Sequence, residues 1–262
     1  MIGPTPLLDF FKRGEVARDV RLLAAQGALA PRAYEQLAIL VLLVEDADAE
    51  IRQIADHTLS AIPQAALAVF LARSDVPIGM REFFADRGIF PDEIPTIEQT
   101  DDPEDPLIDT APDEPDALEE SDEARKGVVQ RLAEMSFTQR LKAAIKGTRE
   151  MRSILIRDTN KMIAAAVMSS PRLTDSEVES FARMSSVGEE VLRMIGQNRR
   201  WLKSYAVVVA LTKNSKTPVA TSMHLMSRLS TREVTMLSVD RNVPEALRRA
   251  ARAKVEEATR RK

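Results

Sequence analysis

A chain of 262 residues with no cysteine admits neither a disulfide framework nor a thiolate metal site, and a reducing cytoplasm is its expected setting. Nine glycines, fourteen prolines and 4% aromatic residues, with much Ala, Leu, Glu and Arg, favour helix over sheet. The formal charge of -3 conceals three unlike regions: residues 1–91 hold 9 Lys/Arg against 12 Asp/Glu, residues 92–124 hold none against 15, and residues 125–262 hold 28 against 13.

The opening stretch, MIGPTPLLDFFKRGE, has no basic segment ahead of a long apolar one, so it is not expected to act as a signal peptide. The longest apolar run, Leu37 to Val44, is far shorter than the roughly 20 residues of a membrane span. A soluble, cytoplasmic protein with no membrane partner is expected.

In chain order, Ala33 to Glu45 predicts a helix buried nearly all round. Asp48 opens an amphipathic helix with Ile51, Ile54, Ala55 and Leu59 at spacings of three and four. Pro63 starts the next, through Leu67, Phe70 and Leu71, because a proline is tolerated in a first turn. After Pro77 a short helix carries Met80, Phe83 and Phe84, and Gly88 ends it. From Pro91 to Ala124 there are six prolines and only five large apolar residues. Too little surface can be buried there to offset chain entropy, and like charges extend the chain. Composition therefore divides the protein into a helical unit at 1–90, a disordered acidic linker at 91–125, and a basic helical unit at 126–262.

The basic region carries an internal repeat. Ser-x-x-Glu capping boxes occur at Ser186/Glu189 and Ser230/Glu233, 44 residues apart. In the same register Leu192 matches Met236, Ile195 matches Val239, Asn198 matches Asn242, Ser170 matches Asn214, and Thr174 matches Pro218. Thr174/Glu177 is a further box. A period near 44 with two or more helices per unit resembles the HEAT and armadillo repeats. The turn-and-helix pieces Ser169 to Thr174 and Lys213 to Pro218 also resemble the leucine-rich-repeat-variant class of helical solenoid. The resemblance covers residues 150–255 well and 47–88 loosely. It implies an all-α, HEAT-like α-solenoid whose concave surface binds other macromolecules, and it brings no catalytic residue with it.

Chemistry is hard to find in these residues. His57 and His224 stand alone on separate helices, where an ordinary helix-surface histidine explains each better than a metal ligand or a general base. Neither a phosphate-cradling glycine loop nor a nucleophile elbow is present in the sequence. The expectation is a protein that is not an enzyme and takes no cofactor or metal.

The basic turns offer more. Gln197-Asn-Arg-Arg-Trp201 and Lys203 surround the single tryptophan, and Arg157, Lys213 and Arg241 occupy comparable turns. If equivalent turns line up along a stack, Arg157, Arg199, Arg200, Lys203, Lys213 and Arg241 form a cationic ridge with Trp201 as a stacking platform. Residues 244–262 predict a basic helix whose thin apolar face, Val243, Leu247, Ala250, Ala251 and Val255, suits a solenoid cap better than a membrane surface.

The function these features imply is a protein–protein interaction scaffold, bacterial in style, whose basic unit recognises the acidic surface of a protein partner. The alternative is a nucleic-acid-binding helical repeat. A weaker one is a HEAT-like DNA glycosylase, which requires an acidic residue and aromatics converging with Trp201. The acidic linker is itself a candidate intramolecular partner, at a millimolar effective concentration for a short tether.

Overall fold

The computed structural model describes residues 5–92, 105–111 and 122–260. Among them every regular element is helical, as the composition predicts. No single helix there is long and apolar enough to cross a membrane. Packing divides the chain into two compact units: unit 1 is Met1–Leu155 with Met162–Arg172, and unit 2 is Ile156–Lys161 with Leu173–Lys262. The boundary drawn from composition at 91–125 lies inside the span of unit 1.

Unit 1 is organised around α3 (Ala33–Leu43). Its run of apolar residues leaves no polar face, so α1 (Pro6–Lys12), α2 (Arg18–Ala25) and α4 (Ala49–Ala61) all pack on it. Two polar residues of α3 are buried with it. Glu35 accepts from the first free amides of α1, Leu7 N at 2.8 Å and Leu8 N at 2.9 Å, which would otherwise lack a partner at that helix start. Burial pushes the Glu35 carboxyl above its ordinary pKa, against the lowering effect of these bonds and of Ser169. Gln36, the second, binds a distant segment described below.

The predicted N-terminal helices are present. Asp48 caps α4, accepting from Glu50 N at 3.0 Å. Ile51, Ala55 and Leu59 are buried. Pro63 stands before α5 (Gln64–Leu71), and α6 (Ile78–Ala85) buries Met80 and Phe84. Unit 1 continues with α7 (Asp122–Glu134), α8 (Phe137–Lys146), α9 (Arg149–Leu155) and most of α10 (Lys161–Met168). A capping box at Ser136/Gln139 starts α8; the Ser-x-x-Gln spacing was its sequence signal.

The expected disordered linker meets the described residues at 91–92, 105–111 and 122–125, and the remainder lies outside them. Two parts of it are structured: Asp122 opens α7, and residues 105–111 are fixed against unit 1 by side chains of α3 and α8. The charge argument missed them because three of the segment's five large apolar residues are spread thinly, while Leu107 and Ile108 fall together.

Unit 2 comprises α11 (Asp175–Arg183), α12 (Glu189–Gln197), a 3-10 turn at Trp201–Lys203, α13 (Tyr205–Lys213), α14 (Val219–Met226), α15 (Thr231–Val239) and α16 (Glu245–Arg260). Three helical hairpins share one five-residue connection: Met184–Gly188, Asn214–Pro218 and Asp240–Pro244. In each, the first residue leaves the helix with extended backbone, at ψ 121°, 119° and 117°. The fourth residue, Val187, Thr217 or Val243, is buried, and a glycine or proline stands before the next helix. The connection thus recurs after 30 and 26 residues, not 44.

The 44-residue register holds for α10 to α13 and α11 to α14, then slips by two, because α12 starts at Glu189 and α15 at Thr231. Burial of Val187 sets the loop, so Gly188 and not Ser186 precedes α12, and the Ser186/Glu189 box is not made. The Thr174/Glu177 box is complete. At Ser230 the hydroxyl accepts from Glu233 N, but the Ser230 amide donates to the Tyr205 hydroxyl at 3.0 Å, leaving Glu233 to pair with Lys213 at 2.8 Å. Likewise Asp240, not Asn242, is the counterpart of Asn198. α16 buries Leu247 and Ala251 against α15 and α14, and its Lys254 donates to Met226 O at 3.0 Å.

Candidate functional site

The turns of unit 2 are held by side chains that imitate backbone. Asn198 Oδ1 accepts from Arg200 N at 2.9 Å, Asn214 Oδ1 from Lys216 N at 3.0 Å, and Asp240 Oδ1 from Asn242 N at 2.9 Å. Asn214, itself buried, also donates through Nδ2 to Ala182 O at 2.8 Å and Met184 O at 3.1 Å. It thereby ties one hairpin loop to the one before it. Arg228 Nη2 donates to Leu202 O at 2.7 Å, which with the Ser230–Tyr205 bond joins the α12–α13 connection to the α14–α15 connection.

This framework places the candidate ridge residues in three unlike kinds of turn. Arg199, Arg200, Trp201 and Lys203 lie in the α12–α13 connection, where Asn198 O accepts from Leu202 N at 3.1 Å. Lys213 is the last residue of α13 and Arg241 the second of the α15–α16 loop. Arg157 is exposed in the Ile156–Lys161 turn. The 44-residue register slips by two at α12, so Arg199 and Arg241 are not counterparts in it, while the turn of Arg157 keeps its register with the one before α13.

Trp201 is 2% exposed, so its ring is packed in the unit and offers no face for stacking. Lys213 is engaged by Glu233 at 2.8 Å. Arg199, Arg200 and Arg241 are exposed, and none of the three forms an ion pair or side-chain hydrogen bond among the described residues. His57 and His224 are both exposed, on α4 and α14.

A cleft of about 340 Å³ lies in unit 2 between Arg183, Ala206, Val209, Ala210, Lys213 and Asn214. Its two lining cations are each partnered, Arg183 with Glu179 and Lys213 with Glu233. Arg183 escaped the sequence reading. Its signal was position, for Arg183 and Lys213 both end a helix directly before the shared loop, 30 residues apart.

The charge of the basic region is shared between the units. Unit 2 holds 19 Lys/Arg against 11 Asp/Glu, so roughly half of the excess counted over 125–262 belongs to it. No family model matches the chain, and neither a curated protein nor a solved structure matches it.

Proposed function

We propose that the chain is a non-catalytic, cytoplasmic interaction scaffold of HEAT-like helical-repeat type whose basic second unit engages an acidic protein surface. The observation that carries this reading is the exposure of Arg199, Arg200 and Arg241 without partners on turns fixed by Asn198 and Asp240. A guanidinium held on a pre-ordered turn loses less freedom on pairing with a carboxylate than one on a mobile chain. The HEAT-like assignment rests on the recurring hairpin, although 26 to 30 residues is shorter than the roughly 40–47 of that class.

The net positive charge of unit 2 also supports a nucleic-acid partner, while the buried Trp201 removes the stacking such a groove would use. Two measurements separate these readings. Affinity capture from the native cells with the wild-type chain beside R199E/R200E/R241E should yield an acidic protein that the variant loses. Titration of duplex and single-stranded oligonucleotides at about 50 mM salt, where phosphate contacts are strongest, should give no binding. Tight, salt-sensitive oligonucleotide binding lost in the variant would instead establish the nucleic-acid reading.

A further inference from the structure

Residues 105–111, Asp-Pro-Leu-Ile-Asp-Thr-Ala, form an irregular strip on unit 1, bent at Leu107 and again at Thr110 and Ala111, where Asp109 Oδ1 accepts from Ala111 N at 3.1 Å. The Gln36 amide, 2% exposed, reads the strip's backbone from both sides. Its Oε1 accepts from Leu107 N at 2.8 Å and Ile108 N at 3.2 Å, and its Nε2 donates to Ile108 O at 2.5 Å. Thr110 is bound by the turn after α2: its amide donates to Gly27 O at 3.5 Å and its hydroxyl to Gln26 O at 2.6 Å. The Asp109 carboxylate pairs with Lys146 Nζ, which also donates to Ala111 O at 2.8 Å; Lys146 is 5% exposed.

Close approach of the strip requires glycine beneath it. Gly27 has φ +73°, and a Cβ there would stand 3.3 Å from the Ile108 methyl and 3.5 Å from the Thr110 methyl. Backbone bonds supplied by a side-chain amide, one carboxylate taken by a lysine, and a glycine that permits close approach are features of sites that recognise peptide segments. Among the described acidic side chains of residues 92–124, Lys146 pairs with Asp109, the one that follows Ile108. Without the strip, Lys146, both ends of the Gln36 amide and the carbonyls of Gln26 and Gly27 would all stand without these partners, a matching array for another chain of the same kind.

We propose that the groove formed by Gln26, Gly27, Gln36 and Lys146 is a peptide-binding site for irregular segments with a branched aliphatic–Asp–Thr core. Residues 105–111 occupy it in cis, and a partner protein's segment of that chemistry exchanges with them. This goes beyond the scaffold reading above and does not depend on the basic residues of unit 2.

The test uses the full chain and a fluorescent peptide spanning residues 103–113. One variant empties the groove by replacing Leu107, Ile108, Asp109 and Thr110 together with Pro and Gly, with Pro at 107 and 108, which removes the two amides from which Gln36 accepts as well as the side chains. A second, I108A/D109N, removes only two side chains from the strip. With a tether giving millimolar local concentration, peptide affinity of about 10 µM for the emptied groove implies binding on the order of 100-fold weaker to the wild type. I108A/D109N should fall between them. Adding Lys146→Met to the emptied chain, or Asp109→Asn to the peptide, should cost at least tenfold. Folded variants that bind no peptide up to about 1 mM, or that bind no better than the wild type, would overturn the proposal. So would unfolding of both variants by circular dichroism, since the strip would then be part of the core and not an exchangeable ligand.

Discussion

The two units end their short helices by different means. In unit 1 the chain turns through left-handed glycines after α1, α2 and α6, at Gly14 (φ +70°), Gly27 (φ +73°) and Gly88 (φ +77°). In unit 2, among the described residues, no glycine has positive φ; α12, α13 and α15 end at Asn198, Asn214 and Asp240 in extended conformation, with the side chain bonding the amide two residues on. A glycine end gives freedom of direction and leaves a bare backbone that another segment can approach. An Asn or Asp end fixes the first residues of its loop, both in the five-residue connections at Asn214 and Asp240 and in the different connection at Asn198. The first solution suits a groove that takes a strip of chain, and the second suits the display of charged residues on fixed turns.

Substitutions at these ends test the contrast, and the largest effect is expected at Asn214. Asn214→Ala removes two bonds to the preceding loop and one within its own, a loss of about 2–4 kcal/mol at about 1 kcal/mol each. Urea unfolding should show it. A change below about 0.5 kcal/mol would mean that the loop is set by Thr217 burial alone.

Gly27→Ala comes next, at about 2–3 kcal/mol, because left-handed strain of about 1–2 kcal/mol adds to the crowding by Thr58, Ile108 and Thr110. Gly14→Ala carries the strain without the crowding, as nothing stands within 4 Å of its Cβ, and should cost about 1–2 kcal/mol. The difference between the two reports the crowding at Gly27 by Thr58 and the docked strip together. Equal losses would show that neither Thr58 nor the strip presses on Gly27.

The smallest effect is a pH dependence at Glu35. Burial raises its folded pKa above that of the free carboxyl. Its contribution to stability is therefore complete below the free-glutamate range and is lost as pH rises through the folded value. Glu35→Gln has no such loss, so the variant's Tm relative to wild type should be higher at pH 8 than at pH 4. A constant offset between the two pH values would contradict the assignment.

Much of unit 1 was legible from sequence where a single helix decides its own environment. The unbroken apolar face of α3, the Asp48 cap and the Pro63 start depend on residues within a turn of one another. The Thr174/Glu177 box of unit 2 was legible for the same reason. What escaped depends on partners far along the chain. Gln36 looks like one polar residue in an apolar helix, and its function appears only when Ile108, 72 positions on, lies against it. Trp201 among arginines looks exposed by its neighbours, yet the turn folds it inward. The repeat was visible but misregistered, since Asp240 and Asn242 are chemically near-equal caps and burial of Val187, Thr217 and Val243 chooses between the frames.

We propose that Arg199, Arg200 and Arg241, on the turns held by Asn198 and Asp240, bind an acidic protein. This proposal is tested most directly by reconstituting the captured partner with purified chain and measuring Kd for the wild type and for R199E/R200E/R241E at two salt concentrations. The triple variant should keep the wild-type Tm, bind at least about tenfold more weakly, and show a flatter salt dependence, as expected when charge pairs at an interface are removed. Equal affinity and equal salt dependence in the two chains would contradict it.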